Sequence, residues 1–404
     1  MSKVIIAVVQ QMMQVHESPE AYKADVKRFM RQVKSKGAEI VVFPELSGLM
    51  LAYPFISGVK RGLLKRADRG GVRRASPLAK AWGRVAGTTA GALGGGLQGS
   101  LIRLLRKRHG ELFDAYVGFF SEIAAEYDMY VVGGSVYLYD EDLDDVRNVC
   151  YLFDPHGEIV GYQEKLVLTQ QDEGLCSPGD RVSVLSTELG RLGVIIGSDA
   201  LYPEPARALA VKGAHLLVAP AACPGPVLHR KVRDAFHARV LENQLFGAIS
   251  FLVGPNNLRA GQYAGRSAVL APVELATRRS GVLQEVGAAN VASFVASECD
   301  FEALRQLWDT ADPPLRHRMP HACGPLLAGF YEAGATISQG YEALEAVVGE
   351  AVPALPPETA APAEPMEEVR GEEVATDLSV TEGTEKTPEE ESPDAPQSWP
   401  FESR

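Results

Sequence analysis

Apolar positions along the chain fall into two rhythms. Val4 to Val9, Glu39 to Phe43, Tyr130 to Tyr137, Asn148 to Asp154, Glu158 to Gln163, Leu192 to Ile196 and Ala214 to Ala219 are short apolar or alternating runs of strand length, with further strands near Ala248 to Gly254 and Ala268 to Ala271. Between them, Pro19 to Lys36, residues 111 to 128, Glu204 to Lys212 and Val232 to Phe246 carry apolar residues at helical spacing. Gly213 supplies a stop after the third of these helices. Asp154-Pro155-His156-Gly157 supplies turn geometry between two strands and predicts a hairpin. Alternating strands and helices predict an α/β domain.

Composition changes that picture at two places only. The chain has 404 residues, 46% of them hydrophobic, enough for one large domain or two small ones. Its net charge of -12 hides a division into three parts. Residues 54–110 hold thirteen Lys/Arg against Asp68 alone, a net +12, whereas residues 351–404 hold fourteen Asp/Glu against Arg370, Lys386 and Arg404, a net -11. The tail is rich in Pro, Thr and Ser and poor in large apolar residues, so a disordered acidic tail is expected there. Residues 311–350 are expected to form a helical extension. Five scattered cysteines without paired spacing argue against a disulfide framework and a zinc site, and no metal or cofactor is expected. The N-terminus lacks the sections of a signal peptide, so a cytoplasmic protein is expected, with peripheral membrane association as a variant of that reading.

Three segments carry candidate chemistry, in order. Val41-Val42-Phe43-Pro44-Glu45-Leu46 ends a strand on a carboxylate. Gly157 to Lys165 is a hairpin strand ending on a lysine, with Glu173 eight residues further and Ser177-Pro178-Gly179 behind it. Leu192-Gly193-Val194-Ile195-Ile196-Gly197-Ser198-Asp199-Ala200-Leu201-Tyr202-Pro203-Glu204, with Arg207, is a strand turning sharply into a helix. Together with Ala238 to Asn243 and Gly265-Arg266-Ser267, these segments resemble the nitrilase superfamily of carbon-nitrogen hydrolases over roughly residues 3–310. The resemblance implies a four-layer α-β-β-α sandwich over residues 1–310, with homodimers or higher homo-oligomers. It also implies a general-base glutamate at Glu45, an oxyanion-stabilising lysine at Lys165 and a second, positioning glutamate at Glu173.

The departure is Gly197, which stands where the family places its nucleophilic cysteine. A hydrogen in place of the thiol removes covalent catalysis, while the charged groups could still bind a carbonyl. Glycine also relieves strain at a tight elbow. The expectation is therefore a catalytically impaired scaffold or ligand-binding module, with an amidase using another nucleophile or an activated water as the alternative. Ser198 and Tyr202 are candidate substrate contacts. Ser198, Cys176 and Cys223 are the substitute nucleophiles to weigh, against a reading of the cysteines as core or loop residues.

The insertion after Tyr53 is the larger departure. Gly83, Gly87, Gly91, Gly95 and Gly99 recur at every fourth position, and residues 85–102 carry no charge before Arg103, Arg106, Lys107 and Arg108. A glycine stripe with basic flanks resembles a membrane-embedded or self-associating helix, and anionic headgroups would attract the cations. A flexible linker is the plainer reading, since glycine is a poor helix former. Few aromatic residues interleave the cations, which disfavours nucleic acid. Attraction between the +12 segment and the -11 tail is a further expectation.

Overall fold

The structure is a computed structural model that describes residues 3–14, 16–52, 102–256, 261–312 and 315. Gly83, Gly87, Gly91, Gly95 and Gly99, the tail and nearly all of residues 311–350 lie outside the described residues, so the expectations placed on them stand as expectations.

Among the described residues the chain runs β1 (Lys3–Met12), α1 (Pro19–Ser35), β2 (Ile40–Val42), α2 (Leu49–Ala52), α3 (His109–Tyr127), β3 (Tyr130–Asp140), β4 (Asp145–Phe153), β5 (Ile159–Glu164), β6 (Val184–Ser186) and β7 (Arg191–Val194). It continues through a 3-10 turn (Gly197–Leu201), α4 (Pro203–Val211), β8 (Leu216–Ala222), α5 (Gly225–Asn243), β9 (Phe246–Pro255), β10 (Gln262–Tyr263), β11 (Ala268–Leu270), β12 (Val282–Glu285), β13 (Ser293–Asp300) and α6 (Phe301–Thr310). The hydrogen-bonded path of strands is β5-β4-β3-β2-β1-β9-β8-β7-β6.

Strand β1 joins the two halves of that path. Ile6 to Val8 pair in parallel with Ile40 to Val42, while Gln11 and Met12 pair in parallel with Leu252 and Val253 of β9. The path then folds back on itself: a β-carbon at Gly161 of β5 would come within 2.7 Å of Leu185 Cδ2 in β6, so the two ends nearly meet.

Alternation along each strand shows how the layers stack. Ala7 and Val9 face a core shared with Phe29 and Met30 of α1 and Phe120 and Ile123 of α3. Val4, Ile6 and Val8 face the opposite way, into a second core shared with Leu192 and Val194 of β7 and Leu216 and Val218 of β8. Leu217, Ala219 and Ala221 of β8 face a third core with Leu209 of α4 and Phe236 and Val240 of α5. Three cores separate four layers, helices outside and strands within, and apolar burial on both strand faces is the reason these strands read as continuous hydrophobic runs.

Two elements differ from the sequence reading. Helix α5 begins at Gly225, not Val232, because Pro226 occupies its first turn, where a missing N–H costs nothing. Strand β13, which pairs antiparallel with β1 from Asp300 to Ser293, carries a mixed half-exposed surface and gives little periodic signal. Of the expected basic insertion, only residues 102–110 lie among the described residues. Residues 102–107 are helical, with Leu105 buried and Ile102 and Leu104 packed on the α3 core. Arg106 pairs with Asp144 and Arg108 with Glu111. Among the described residues no helix is long and apolar enough to cross a membrane.

Candidate functional site

The ends of β2, β5, β7 and β8 converge on one buried centre. Glu45 follows β2 on a loop fixed from two sides. Gly134 (φ +66°) lets the bulged strand β3 approach so closely that a β-carbon there would lie 2.1 Å from the Pro44 carbonyl oxygen, and Ser135 Oγ accepts from the Leu46 N–H at 3.2 Å. Ser47 Oγ donates to Gln11 Oε1 at 2.9 Å, which ties the loop to β1.

Glu45 is 1% exposed and its carboxylate accepts three hydrogen bonds. Oε1 accepts from Lys165 Nζ at 2.6 Å and from Asn148 Nδ2 at 3.1 Å, and Oε2 accepts from the backbone N–H of Ala222, at the end of β8, at 2.8 Å. Lys165, one residue past β5 and 2% exposed, also donates to Asp172 Oδ2 at 2.7 Å. Asp172 Oδ2 accepts in addition from Thr169 N and Thr169 Oγ1, each at 2.8 Å, and Oδ1 accepts from the Tyr137 hydroxyl at 2.8 Å.

One ammonium therefore lies between two buried carboxylates, and their environments drive them apart. Burial raises the Glu45 carboxyl above its ordinary range despite Lys165. Burial acts in the same direction on Asp172, but Lys165 and the Thr169 donors outweigh it and hold Asp172 below the ordinary range. Burial would strip the proton from Lys165, yet Glu45 and Asp172 together more than compensate and raise it. The ammonium form is thus held firmly in place.

Gly197 faces this centre from the end of β7. Its φ is +51°, and a β-carbon built there would lie 2.5 Å from Glu45 Oε2. The elbow around it is braced by Asp199, whose Oδ1 accepts from Leu166 N at 3.0 Å and Val167 N at 2.7 Å and whose Oδ2 accepts from Ile196 N at 2.8 Å. That one carboxylate joins the elbow to the segment that follows Lys165.

Of the residues expected at the site, the structure brings Glu45, Lys165 and Gly197 together. It does not bring Glu173. The acid that meets Lys165 is Asp172, and Glu173 is exposed. The turn from Thr169 to Asp172, closed by Asp172 N to Thr169 O at 2.9 Å, directs residue 172 inward and its successor outward. A spacing of eight residues from the lysine cannot register that rotation. Ser198 is buried, but its hydroxyl donates to the Val167 carbonyl. Tyr202 is 49% exposed at the start of α4, outside the buried centre. Asn148, Tyr137 and the Ala222 N–H had no sequence signal beyond lying on or ending strands.

Neither candidate replacement thiol is poised as a thiolate. Burial and then Asp172 push Cys176 up to about 12, while burial and then Glu45 raise Cys223 still further. Cys223 belongs to the core between β8 and α5. Among the described residues no group of three or more His, Cys, Asp or Glu could hold a metal ion.

The chain matches the carbon-nitrogen hydrolase family over residues 5–273. It is 31% identical over 201 residues to the probable hydrolase YhcX of Bacillus subtilis, covering 48% of this chain and 38% of that protein. It is 29% identical over 179 residues to a nitrilase of Pyrococcus abyssi, covering 44% and 64%. With the omega-amidase NIT2 of Xenopus tropicalis it shares 27% identity over 215 residues, covering 50% and 71%. The chain thus spans about two fifths to two thirds of the length of the first two relatives. Among solved structures, a carbon-nitrogen hydrolase from Helicobacter pylori superposes with a TM-score of 0.57 at 18% identity, covering 81% of this chain and 98% of that one. An amidase from Nesterenkonia sp. superposes with a TM-score of 0.52 at 19% identity, covering 75% and 92%. Layered cores, a Glu/Lys centre at converging strand ends and the family match over residues 5–273 agree: this protein is a member of the carbon-nitrogen hydrolase family.

Proposed function

We propose that this chain is a carbon-nitrogen hydrolase-fold protein that has lost thiol chemistry and serves as a ligand-binding module or scaffold. One observation carries the reading. Residue 197, which stands where the family places its cysteine, has no side chain, and Glu45 Oε2 lies only 2.5 Å from where a β-carbon would be. A mutant of the amidase from Nesterenkonia sp. shows covalent addition of the acetamide moiety of fluoroacetamide at its active-site cysteine. Nothing at residue 197 of this chain could form such a bond. Ser198 does not substitute, since its hydroxyl is engaged by Val167. What persists is the electrostatic part: Lys165 has three N–H donors, two of them spent on Glu45 and Asp172, so one is left for a carbonyl oxygen. Homodimerisation and binding of the basic insertion to anionic lipid belong to the same proposal.

A second reading is an amidase that uses an activated water. It is favoured by the raised Glu45 carboxyl, since a carboxylate with greater proton affinity is a stronger base, and by the omega-amidase and amidase relatives. A panel of amides and nitriles assayed for ammonia release separates the two. No turnover by the natural chain, with turnover in Gly197→Cys, supports the first reading. Turnover by the natural chain that Glu45→Gln abolishes overturns it.

A further inference from the structure

The outer face of the β3-β4-β5 half carries a surface that the Glu45 centre does not use. Two clefts of about 230 and 240 Å³ adjoin there and share Tyr162 and Glu164. The larger is walled by Phe113, Tyr139, Tyr151 and Tyr162 and bears the carboxylates of Asp140 and Glu164. Its rings form a chain, Phe113 to Tyr151 at 6.0 Å and Tyr151 to Tyr162 at 5.4 Å between centroids, and both ends of that chain reach solvent. Arg147, which also lines it, is engaged by the Pro178 carbonyl. At the rim stands the hairpin tip Asp140-Glu141-Asp142-Leu143-Asp144-Asp145, five acids in six residues. The side chains of Glu141 and Asp144 are 73% and 75% exposed. Partly exposed aromatic rings beside carboxylates form a surface that takes guanidinium and ammonium groups.

One such cation is already seated. Arg106 places its Cζ 5.3 Å from the Tyr139 ring centroid, its Nη1 3.4 Å from Asp144 Oδ1, and donates from Nη2 to the Asp144 carbonyl at 3.2 Å. His109 Nε2 lies 3.2 Å from Glu141 Oε1. Arg106 and His109 are where the chain returns from its basic segment. Upstream, nine Lys/Arg from Lys60 to Arg84 stand against Asp68 alone, a net +8. The stretch between Arg84 and Ile102 spans up to roughly 60 Å when extended, so the tether does not keep those cations from the groove.

We propose that this groove and its acidic hairpin tip are a docking site for the chain's own basic segment, residues 60–84. Its Arg and Lys side chains lie on the tyrosine faces and pair with Asp140, Glu164 and the tip. The contact continues the one Arg106 makes, and charge complementarity selects the occupant. The acidic tail and anionic lipid are the competing destinations for the same cations.

The test uses the full chain. An equal mixture of isotope-labelled and unlabelled protein is treated with a carbodiimide, which joins a lysine amine directly to a carboxylate, and the peptides are read by mass spectrometry. The expected result is Lys60, Lys65 or Lys80 linked to residues 140–145 or to Glu164, within single-isotope pairs. Links that run only to the tail, only between differently labelled copies, or not to the groove at all overturn the proposal. A second measurement compares tryptic cleavage within residues 60–84 in the natural chain and in Glu141→Lys/Asp142→Lys/Asp144→Lys, whose altered positions are exposed. Cleavage roughly five- to thirtyfold faster in the variant at low salt is expected from several weak pairs lost together. Equal cleavage rates, or equal flotation of both proteins on phosphatidylserine vesicles, overturn it.

Discussion

Leu46 and Gly197 occupy equivalent places and were treated in opposite ways. Each follows the C-terminal end of a parallel strand, β2 or β7, each has a left-handed backbone, with φ of +65° and +51°, and both lie beside Glu45. Leu46 keeps its side chain at a conformational cost of about 1–2 kcal/mol, and full burial in the core against α3 more than offsets it. At Gly197 no apolar core is on offer. The space ahead of its α-carbon holds the Glu45 carboxylate, so any side chain meets a charged neighbour as well as a strained backbone. Leu46 keeps its side chain on a strained turn because that side chain gains packing, and residue 197 is offered no such packing.

The sharpest challenge to that comparison is to remove the cation that holds Glu45 in that space. Lys165→Ala leaves Glu45 and Asp172 buried without their shared cation and is expected to cost about 3–5 kcal/mol, read from the denaturant midpoint. A cost under about 1 kcal/mol would show that water reaches the centre, and the argument about crowding at residue 197 would fail. Leu46 comes next. Leu46→Ala is expected to cost about 2–5 kcal/mol through lost packing. Leu46→Gly should be no worse than Leu46→Ala, because glycine also relieves the left-handed strain. A glycine variant clearly less stable than the alanine variant would mean that strain is not what sets this position apart.

Gly197→Ala is the mirror experiment. The left-handed alanine and the displacement of Glu45 from the Ala222 N–H together predict a loss of roughly 2–4 kcal/mol. The two contributions separate in a double-mutant cycle. In a Glu45→Ala background the alanine at 197 meets no carboxylate, so the loss should shrink towards the strain alone, a coupling of about 1–2 kcal/mol. Independent, additive effects would show that Glu45 is free to move aside, and an introduced cysteine would then fit without disturbing its base.

How much of this was legible beforehand depends on the kind of signal each feature leaves. Strands buried on both faces, such as Leu192 to Val194 and Leu216 to Val218, announce themselves as apolar runs, so the fold could be read. Glu45, Lys165 and Gly197 sit at strand ends, where position along the strand fixes position in space. Asp172 and Glu173 lie in an irregular turn, where one residue of rotation exchanges inside for outside and two adjacent acids look alike in sequence. The hydrogen bonds of Thr169 and Tyr137 decide between them, and those belong to tertiary structure. Asn148 was invisible for a related reason: an alternating strand shows which face a polar residue takes but not what waits there.

The smallest expected effect is a slope with pH, and it asks whether Glu45 is the strained member of the pair. A carboxyl raised above its ordinary value binds its proton more tightly in the folded chain than in the unfolded one. The stability this contributes is complete below the unfolded value of about 4.5 and is lost as pH rises through the folded value. Asp172, held low, has the opposite sign, and its contribution is lost only as pH falls below the ordinary carboxylate range. The difference in Tm between the natural chain and Glu45→Gln should therefore decline as pH is raised from about 4.5 towards neutrality. A difference that grows over that interval would mean that Lys165 keeps Glu45 fully ionised. Glu45 would then be a settled ion-pair partner with no proton to exchange near neutral pH, and the activated-water reading would lose its base.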